Sequence, residues 1–283
     1  MDTQPLSIRT MTPRDVALAL DWAAAEGWNP GLHDASLYPL ADPTGFLIGY
    51  LGETPVATIS VVKYGDGFGF LGFYIVAPAY RGRGYGLHIW QAGMEYLQGR
   101  NVGLDGVIEQ QENYRRSGFT LAYSNIRYAG TATPAFPQHA DIVDVATIPF
   151  EAIQTYDRAF FPEDRDAFLK AWIAQPDSHG YGVMTDGRLC GYGIIRTCRV
   201  GHKIGPLYAD DAETAEVLFQ ALASTTDPTA PVYLDVPETN LAAVHLAEQY
   251  GMTPSFETAR MYTGTAPEIP LERLYGVTSF EIG

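Results

Sequence analysis

The run Ile75-Val76-Ala77-Pro78-Ala79-Tyr80-Arg81-Gly82-Arg83-Gly84-Tyr85-Gly86 joins an apolar, strand-like segment to a helical one through a loop dense in glycine and arginine. Glycines let the backbone turn its N–H groups toward one point, and a following helix adds the positive end of its dipole. Arg81 and Arg83 bring charge to the same place. The stretch therefore predicts an α/β unit with an anion cradle of the kind that holds a pyrophosphate. The chain as a whole carries 33 acidic against 18 basic side chains, a formal charge of −15. Such a surface repels nucleic acid and anionic lipid, so the basic loop points to one specific anionic ligand.

A length of 283 residues favours two domains over one core, and 46% hydrophobic with 18% charged residues describes a well-packed, folded chain. Leu6 to Met11 reads as a strand. Thr12 and Pro13 then start a helix through Ala25 as N-cap and first helical residue. A turn-rich loop, Glu26-Gly27-Trp28-Asn29-Pro30-Gly31, leads to a short helix at His33 to Tyr38. Phe46 to Leu51, Thr54 to Lys63 and Phe68 to Val76 read as consecutive strands. A helix from Gly84 to Gly99, a strand at Val102 to Leu104, a helix ending at Ser117-Gly118-Phe119 and two short strands, Thr120 to Ala122 and Asn125 to Ala129, complete a block.

Thr131 to Gln138 has the small-residue and proline content of a linker and puts a boundary near residue 135, dividing the chain into domains 1–132 and 139–283. Beyond it the element order repeats. Strand Ile142 to Val145, helices Phe150 to Phe160 and Arg165 to Ala174, and strands Tyr181 to Met184, Leu189 to Cys198 and His202 to Tyr208 are followed by helix Ala212 to Ala223. Strand Val232 to Val236, helix Ala242 to Gln249 and a last strand Arg260 to Tyr262 end the second block. The two cysteines, Cys190 and Cys198, suit buried free thiols, and the six histidines show no metal spacing, so no metal is expected. Residues 1–5 lack a leader pattern and no segment reaches the length of a membrane span, which fits a cytoplasmic protein without membrane partners. Oligomeric state is not legible.

No Gly-Lys-Ser/Thr follows the glycine loop, no kinase signature lies downstream, and a Rossmann loop would open the first βαβ unit instead of following an antiparallel meander. Val76-x-Pro78-x-x-Arg81-Gly82-x-Gly84-x-Gly86 resembles the acyl-CoA signature of the GNAT superfamily of N-acetyltransferases. Tyr114-Arg115-Arg116-Ser117-Gly118-Phe119 is similar to that family's Tyr-x-x-x-Gly-Phe element. The resemblance implies two tandem mixed α/β domains, each a mostly antiparallel open sheet flanked by helices, with acetyl-CoA as co-substrate of the first. Backbone N–H groups from Arg81 through Gly82, Arg83, Gly84 and Tyr85 to Gly86 would cradle the pyrophosphate, helped by both arginine side chains. Tyr74, Ile75 and Val76 would pair with the pantetheine arm. A bulge there would splay two strands and expose a preorganised N–H to the thioester carbonyl. Tyr114 would protonate the departing thiolate. Where many members carry Asn this chain has Val107, so the expectation is that Asn113 or Gln110 substitutes or that backbone contacts suffice.

The same resemblance sends the acceptor to the loop after the first helix. An ammonium must lose a proton before it attacks, which makes Glu26 and Asp34 the candidate bases, with Trp28 and Asn29 contacting substrate. The alternative is a capped loop with Trp28 plugging the core. In the second half the counterpart of the glycine loop, Tyr208 to Thr214, has no glycine and three acids, and Ala247 stands where Tyr114 does; CoA is not expected there. That half would complete the substrate pocket or stabilise the pair, while Phe160, Phe161 and Trp172 fit a buried staple better than a pocket wall. The expected activity is direct transfer of acetyl from acetyl-CoA to a primary amine of a small molecule in a ternary complex. A non-catalytic acyl-CoA sensor or scaffold is the alternative.

Overall fold

The computed structural model describes residues 6–131 and 134–283; the first five residues and the centre of the expected linker, Ala132-Thr133, lie outside them. Strand β1 (Ser7–Thr10) precedes helix α1 (Pro13–Ala25). Thr12 and Asp15 make a reciprocal capping box, each side chain accepting from the other's backbone N–H, at 3.3 Å to Thr12 Oγ1 and 2.8 Å to Asp15 Oδ2. A one-turn helix α2 (Asp34–Leu37) leads to the meander β2 (Phe46–Leu51), β3 (Thr54–Tyr64) and β4 (Phe68–Val76). Helix α3 (Tyr85–Tyr96), β5 (Asn101–Val107), α4 (Gln111–Arg116) and β6 (Thr120–Gly130) follow. The order then recurs as β7 (Ile142–Asp144), α5 (Phe150–Asp157), α6 (Asp166–Ile173), β8 (Ser178–Thr185), β9 (Arg188–Thr197) and β10 (His202–Ala209). Helix α7 (Ala212–Ala223), β11 (Val232–Pro237), α8 (Leu241–Gln249) and β12 (Thr253–Tyr262) complete it.

Three expectations need correction. The last strand of the second block, expected at Arg260 to Tyr262, begins at Thr253. The pair of strands expected over residues 120–129 is one strand, β6. The chain stays extended through Tyr123 and Ser124, where the Ser124 N–H donates to Glu238 Oε1, and the Asn125 side-chain amide donates to Asp105 Oδ1. A short strand beyond the second block, β13 (Leu274–Gly276), carried no signal: three residues are too few for periodicity to show.

All thirteen strands belong to one sheet, ordered β1-β2-β3-β4-β5-β12-β6-β11-β10-β9-β8-β7, with β13 on β10. Among the described residues only β4–β5 and β10–β11 pair in parallel. The halves exchange their last strands: β12 lies beside β5, and β6 lies beside β11. Each exchange is locked by a buried cross-strand ion pair. Arg260 on β12 faces Asp105 on β5, and Arg127 on β6 faces Asp235 on β11, all four nearly without solvent exposure. Both pairs are bidentate, at 2.8 and 2.6 Å for Arg260 and 2.7 and 2.8 Å for Arg127.

On one face a single apolar cluster runs through both halves, from Val16, Tyr38 and Phe70 to Trp172 and Phe280. Phe160, Phe161 and Trp172 are buried within it; the Trp172 ring stacks on Tyr38 at 6.1 Å. Cys190 and Cys198 are buried free thiols. Among the described residues no helix is long and apolar enough to cross a membrane, and no cluster of three metal-ligating side chains occurs.

Candidate active site

Parallel pairing of β4 with β5 stops at Leu71 opposite Leu104, and beyond that point the strands part. The cause lies in β4. Its register against β3 slips between Thr58 and Ser60, and Phe73 takes a φ of 46° in the bulge. A buried phenylalanine in that region is strained by roughly 1–3 kcal/mol and persists only when its surroundings impose it. Thr58 Oγ1 helps, donating to the Phe73 carbonyl at 2.9 Å. The result is a cleft of about 650 Å³ between the parted strands.

One wall of the cleft contains Tyr74, Ile75 and Val76 of β4 and Arg81 of the following loop; the other contains Val107, Gln110 and Tyr114. Gly82 and Gly84 have φ of 73° and 87°, and Gly84 caps the twelve-residue helix α3. Gly86 in its first turn lets the Tyr74 side chain pack close, since a Cβ there would stand 2.7 Å from the Tyr74 hydroxyl and require it to move. The glycine turn thus leads into a helix N-terminus next to the cleft, a setting that suits a CoA pyrophosphate, while the parted strands suit its pantetheine arm. Arg83 extends over the Tyr80 ring at 5.5 Å. The Arg81 side chain, expected to contact the pyrophosphate, has partners within the protein. Its Nε donates to the Val76 carbonyl at 2.9 Å and its Nη2 pairs with Glu26.

Tyr114 stands on α4 with its ring stacked on Trp90 at 5.7 Å and laid over Gly106, where a Cβ would come within 2.1 Å of the ring. Burial, and then the neighbouring Tyr74 and Glu109, push its phenol well above the ordinary tyrosine range. It therefore stays protonated at any physiological pH, as a donor must. Asn113 is exposed and donates to Gln110 Oε1 at 2.7 Å; Gln110, not Asn113, lines the cleft.

On the acceptor side, Glu26 and Trp28 line the cleft. Asn29 does not: its side chain bridges the Val200 N–H and carbonyl at 3.0 and 2.8 Å, tying the loop to the second half. Nor does Asp34, which is fully buried, accepts from the Gly31 N–H at 2.7 Å and pairs with Arg196 at 3.2 Å. Burial opposes its charge, yet Arg196 and the Gly31 N–H hold it below the usual carboxylate range. A carboxylate so committed is a structural anchor with no path to an acceptor.

Sequence reasoning missed Asp105, Phe256, Thr258, Phe280 and Glu281, which complete the lining. Four of these lie more than 130 residues beyond Tyr114 in the chain, and no local pattern marks them. Asp105 sits where the strands part, its oxygens held by Arg260 and Asn125; burial pushes its carboxyl up against the pull of Arg260.

The second half contains the matching strand pair, but its opening is closed. Beyond Ile204 opposite Leu234, β10 leaves β11 and takes up β13 instead, through Leu207 with Gly276 and Tyr208 with Leu274. The chain's own strand thus occupies the position corresponding to the first cleft. Asp211 caps α7 by accepting from the Thr214 N–H at 2.8 Å, where the first half has Gly84.

Residues 15–119 match the family described as Acetyltransferase (GNAT) family, and residues 153–276 match the Acetyltransferase (GNAT) domain. The protein named holothin acyltransferase, from Pseudoalteromonas sp. strain SANK 73390, is 31% identical over 263 residues, 93% of this chain and 90% of that one. Among solved structures, a putative acetyltransferase of Pyrococcus horikoshii superposes with a TM-score of 0.84 at 22% identity, over 100% of this chain and 98% of that one. A tandem GNAT protein from the clavulanic acid biosynthesis pathway superposes with a TM-score of 0.62 at 14% identity, over 93% and 100%. With both halves matched and a relative similar along nearly its whole length, the chain belongs to the GNAT acyltransferase superfamily, in its tandem form.

Proposed function

We propose that this protein is an acetyl-CoA-dependent N-acetyltransferase acting on a primary amine of a small molecule. The observation that carries this reading is the cleft itself: a bulge-parted strand pair with a glycine loop at one end and the neutral Tyr114 phenol on its wall. Acetyl-CoA supplies an activated thioester when bound. The backbone of residues 81–86 would hold the pyrophosphate and Tyr74 to Val76 the pantetheine arm. Backbone N–H groups freed at the bulge would face the thioester carbonyl oxygen, and the Tyr114 hydroxyl would deliver a proton at sulfur.

The reading of a small acceptor rests on two supports. One relative is named holothin acyltransferase, and the cleft is lined by the aromatic side chains Trp28, Phe256 and Phe280. In this reading the second half serves to finish the acceptor wall, to which Phe256, Thr258, Phe280 and Glu281 belong. The test is a panel of primary amines with acetyl-CoA, following release of free CoA thiol. Turnover with at least one small amine is expected. Thermal stabilisation by acetyl-CoA without thiol release from any amine would instead identify a sensor.

A further inference from the structure

The last seven residues, Val277 to Gly283, form no regular element and are buried nonetheless. They run from β13 in the closed opening of the second half to the open cleft of the first. Ser60 Oγ donates to the Glu281 carbonyl at 3.1 Å, and the Tyr64 hydroxyl to the Ile282 carbonyl at 2.7 Å. Gly72 permits this approach: a Cβ there would stand 2.1 Å from the Glu281 carbonyl oxygen. Gly72 is also the residue next to Phe73 in the bulge. Glu281 is thereby pinned beside the point at which β4 and β5 part.

Its carboxylate is held on one side only. Ser279 Oγ donates to Oε2 at 2.6 Å and the Tyr38 hydroxyl lies 3.2 Å from the same oxygen. Among the described residues Oε1 has no hydrogen-bond partner, and it is not one of the buried unsatisfied atoms, so it opens onto the cleft that Glu281 lines. The other three carboxylates of the cleft are placed differently. Glu26 is paired with Arg81, Asp105 is gripped by Arg260 and Asn125, and Glu109 is exposed next to Tyr114 on the opposite wall.

We propose that Glu281 is the general base of the acceptor site, receiving through Oε1 the proton that an incoming ammonium must lose. This rests on the acetyltransferase reading and deepens it by assigning the base to the second half of the chain. The amine arrives as R–NH3+ and gives one proton to Glu281. Its nitrogen lone pair forms the C–N bond to the acetyl carbon while the C–S bond breaks, and the sulfur leaves with that electron pair. The sulfur takes a proton from Tyr114, which is replaced by the second proton shed by nitrogen, and Glu281 returns its proton to solvent. The products are the N-acetylated amine, CoA thiol and one proton.

The test uses the full chain and the best amine of the panel. In Glu281→Gln, kcat should fall at least about 100-fold, the range expected for losing a general base, with KM for acetyl-CoA within about twofold of the parent. Calorimetric binding of the amine to the CoA-bound protein should weaken at least about tenfold, as expected for loss of a charged hydrogen bond. Glu281→Ala should be partly rescued by added formate, which a structural role would not produce. If neither variant folds, Glu281→Asp, which keeps the charge but retracts it, should lose at least about tenfold in kcat. Near-parental turnover by Glu281→Gln, or by Glu281→Asp where that variant is needed, overturns the assignment and leaves the acetyltransferase reading standing. No thiol release by the unmodified protein with any amine overturns both.

Discussion

Asp15 shows how one side chain can join local and tertiary stability. Burial opposes its charge, but the Tyr50 hydroxyl at 2.6 Å, the Thr12 backbone and hydroxyl, and Arg9 together lower its pKa to about 2. The folded-state value is depressed, so the stabilisation is complete above the ordinary carboxyl value and is lost as pH falls toward 2. With allowance for solvent screening it amounts to about 1–2 kcal/mol. Asp15→Asn should therefore unfold about 1–2 kcal/mol more easily than the parent in urea at pH 7, with the two converging near pH 2; a gap that does not change with pH would refute the charge-based account. Tyr114→Phe keeps the stacking on Trp90 and removes only the hydroxyl proposed as the proton donor. It should lower kcat by about 100-fold while CoA affinity, measured by calorimetry, stays within about twofold. Tyr114 and the glycine loop were legible because their motifs are contiguous. Asp105 and Glu281 were not, since what makes them notable is a neighbour far away in the chain.

Most elements were legible too, because helix caps and strand alternation are written within a few residues. The Thr12–Asp15 box begins α1 where the sequence suggests, and the meander from Phe46 to Val76 keeps its expected strands. What no element announces is its partner. β12 fits beside β5 because Arg260 meets Asp105 in register, just as Arg127 meets Asp235 between β6 and β11. Removing one member of such a pair strands the other as a buried charge. Arg260→Met should cost about 3–5 kcal/mol in urea unfolding, whereas the double change Asp105→Leu with Arg260→Met should recover most of that loss. Equal losses in the two variants would show that the side chains matter for packing and not for charge.

At the scale of the whole molecule, duplication has produced two strand openings with opposite fates. The second is filled by β13, while the first remains a cleft of about 650 Å³ with a glycine loop at its end. Calorimetry should accordingly find one CoA per chain, and a stoichiometry of two would refute the role given to β13. The acidic, glycine-free Tyr208 to Thr214 segment already argued against a second site; the inserted strand supplies a steric reason that composition does not contain. By itself the sequence determined the local order of elements, the doubled plan and the place of the glycine loop, because these follow from spacing, caps and glycine freedom along a short stretch of chain. Only the tertiary structure decided that the halves exchange strands and that residues 277–283 cross from one opening to the other, bringing Glu281 to the parted strands. Those outcomes depend on register and on buried charge pairs between residues more than a hundred positions apart, where no local preference can specify the partner.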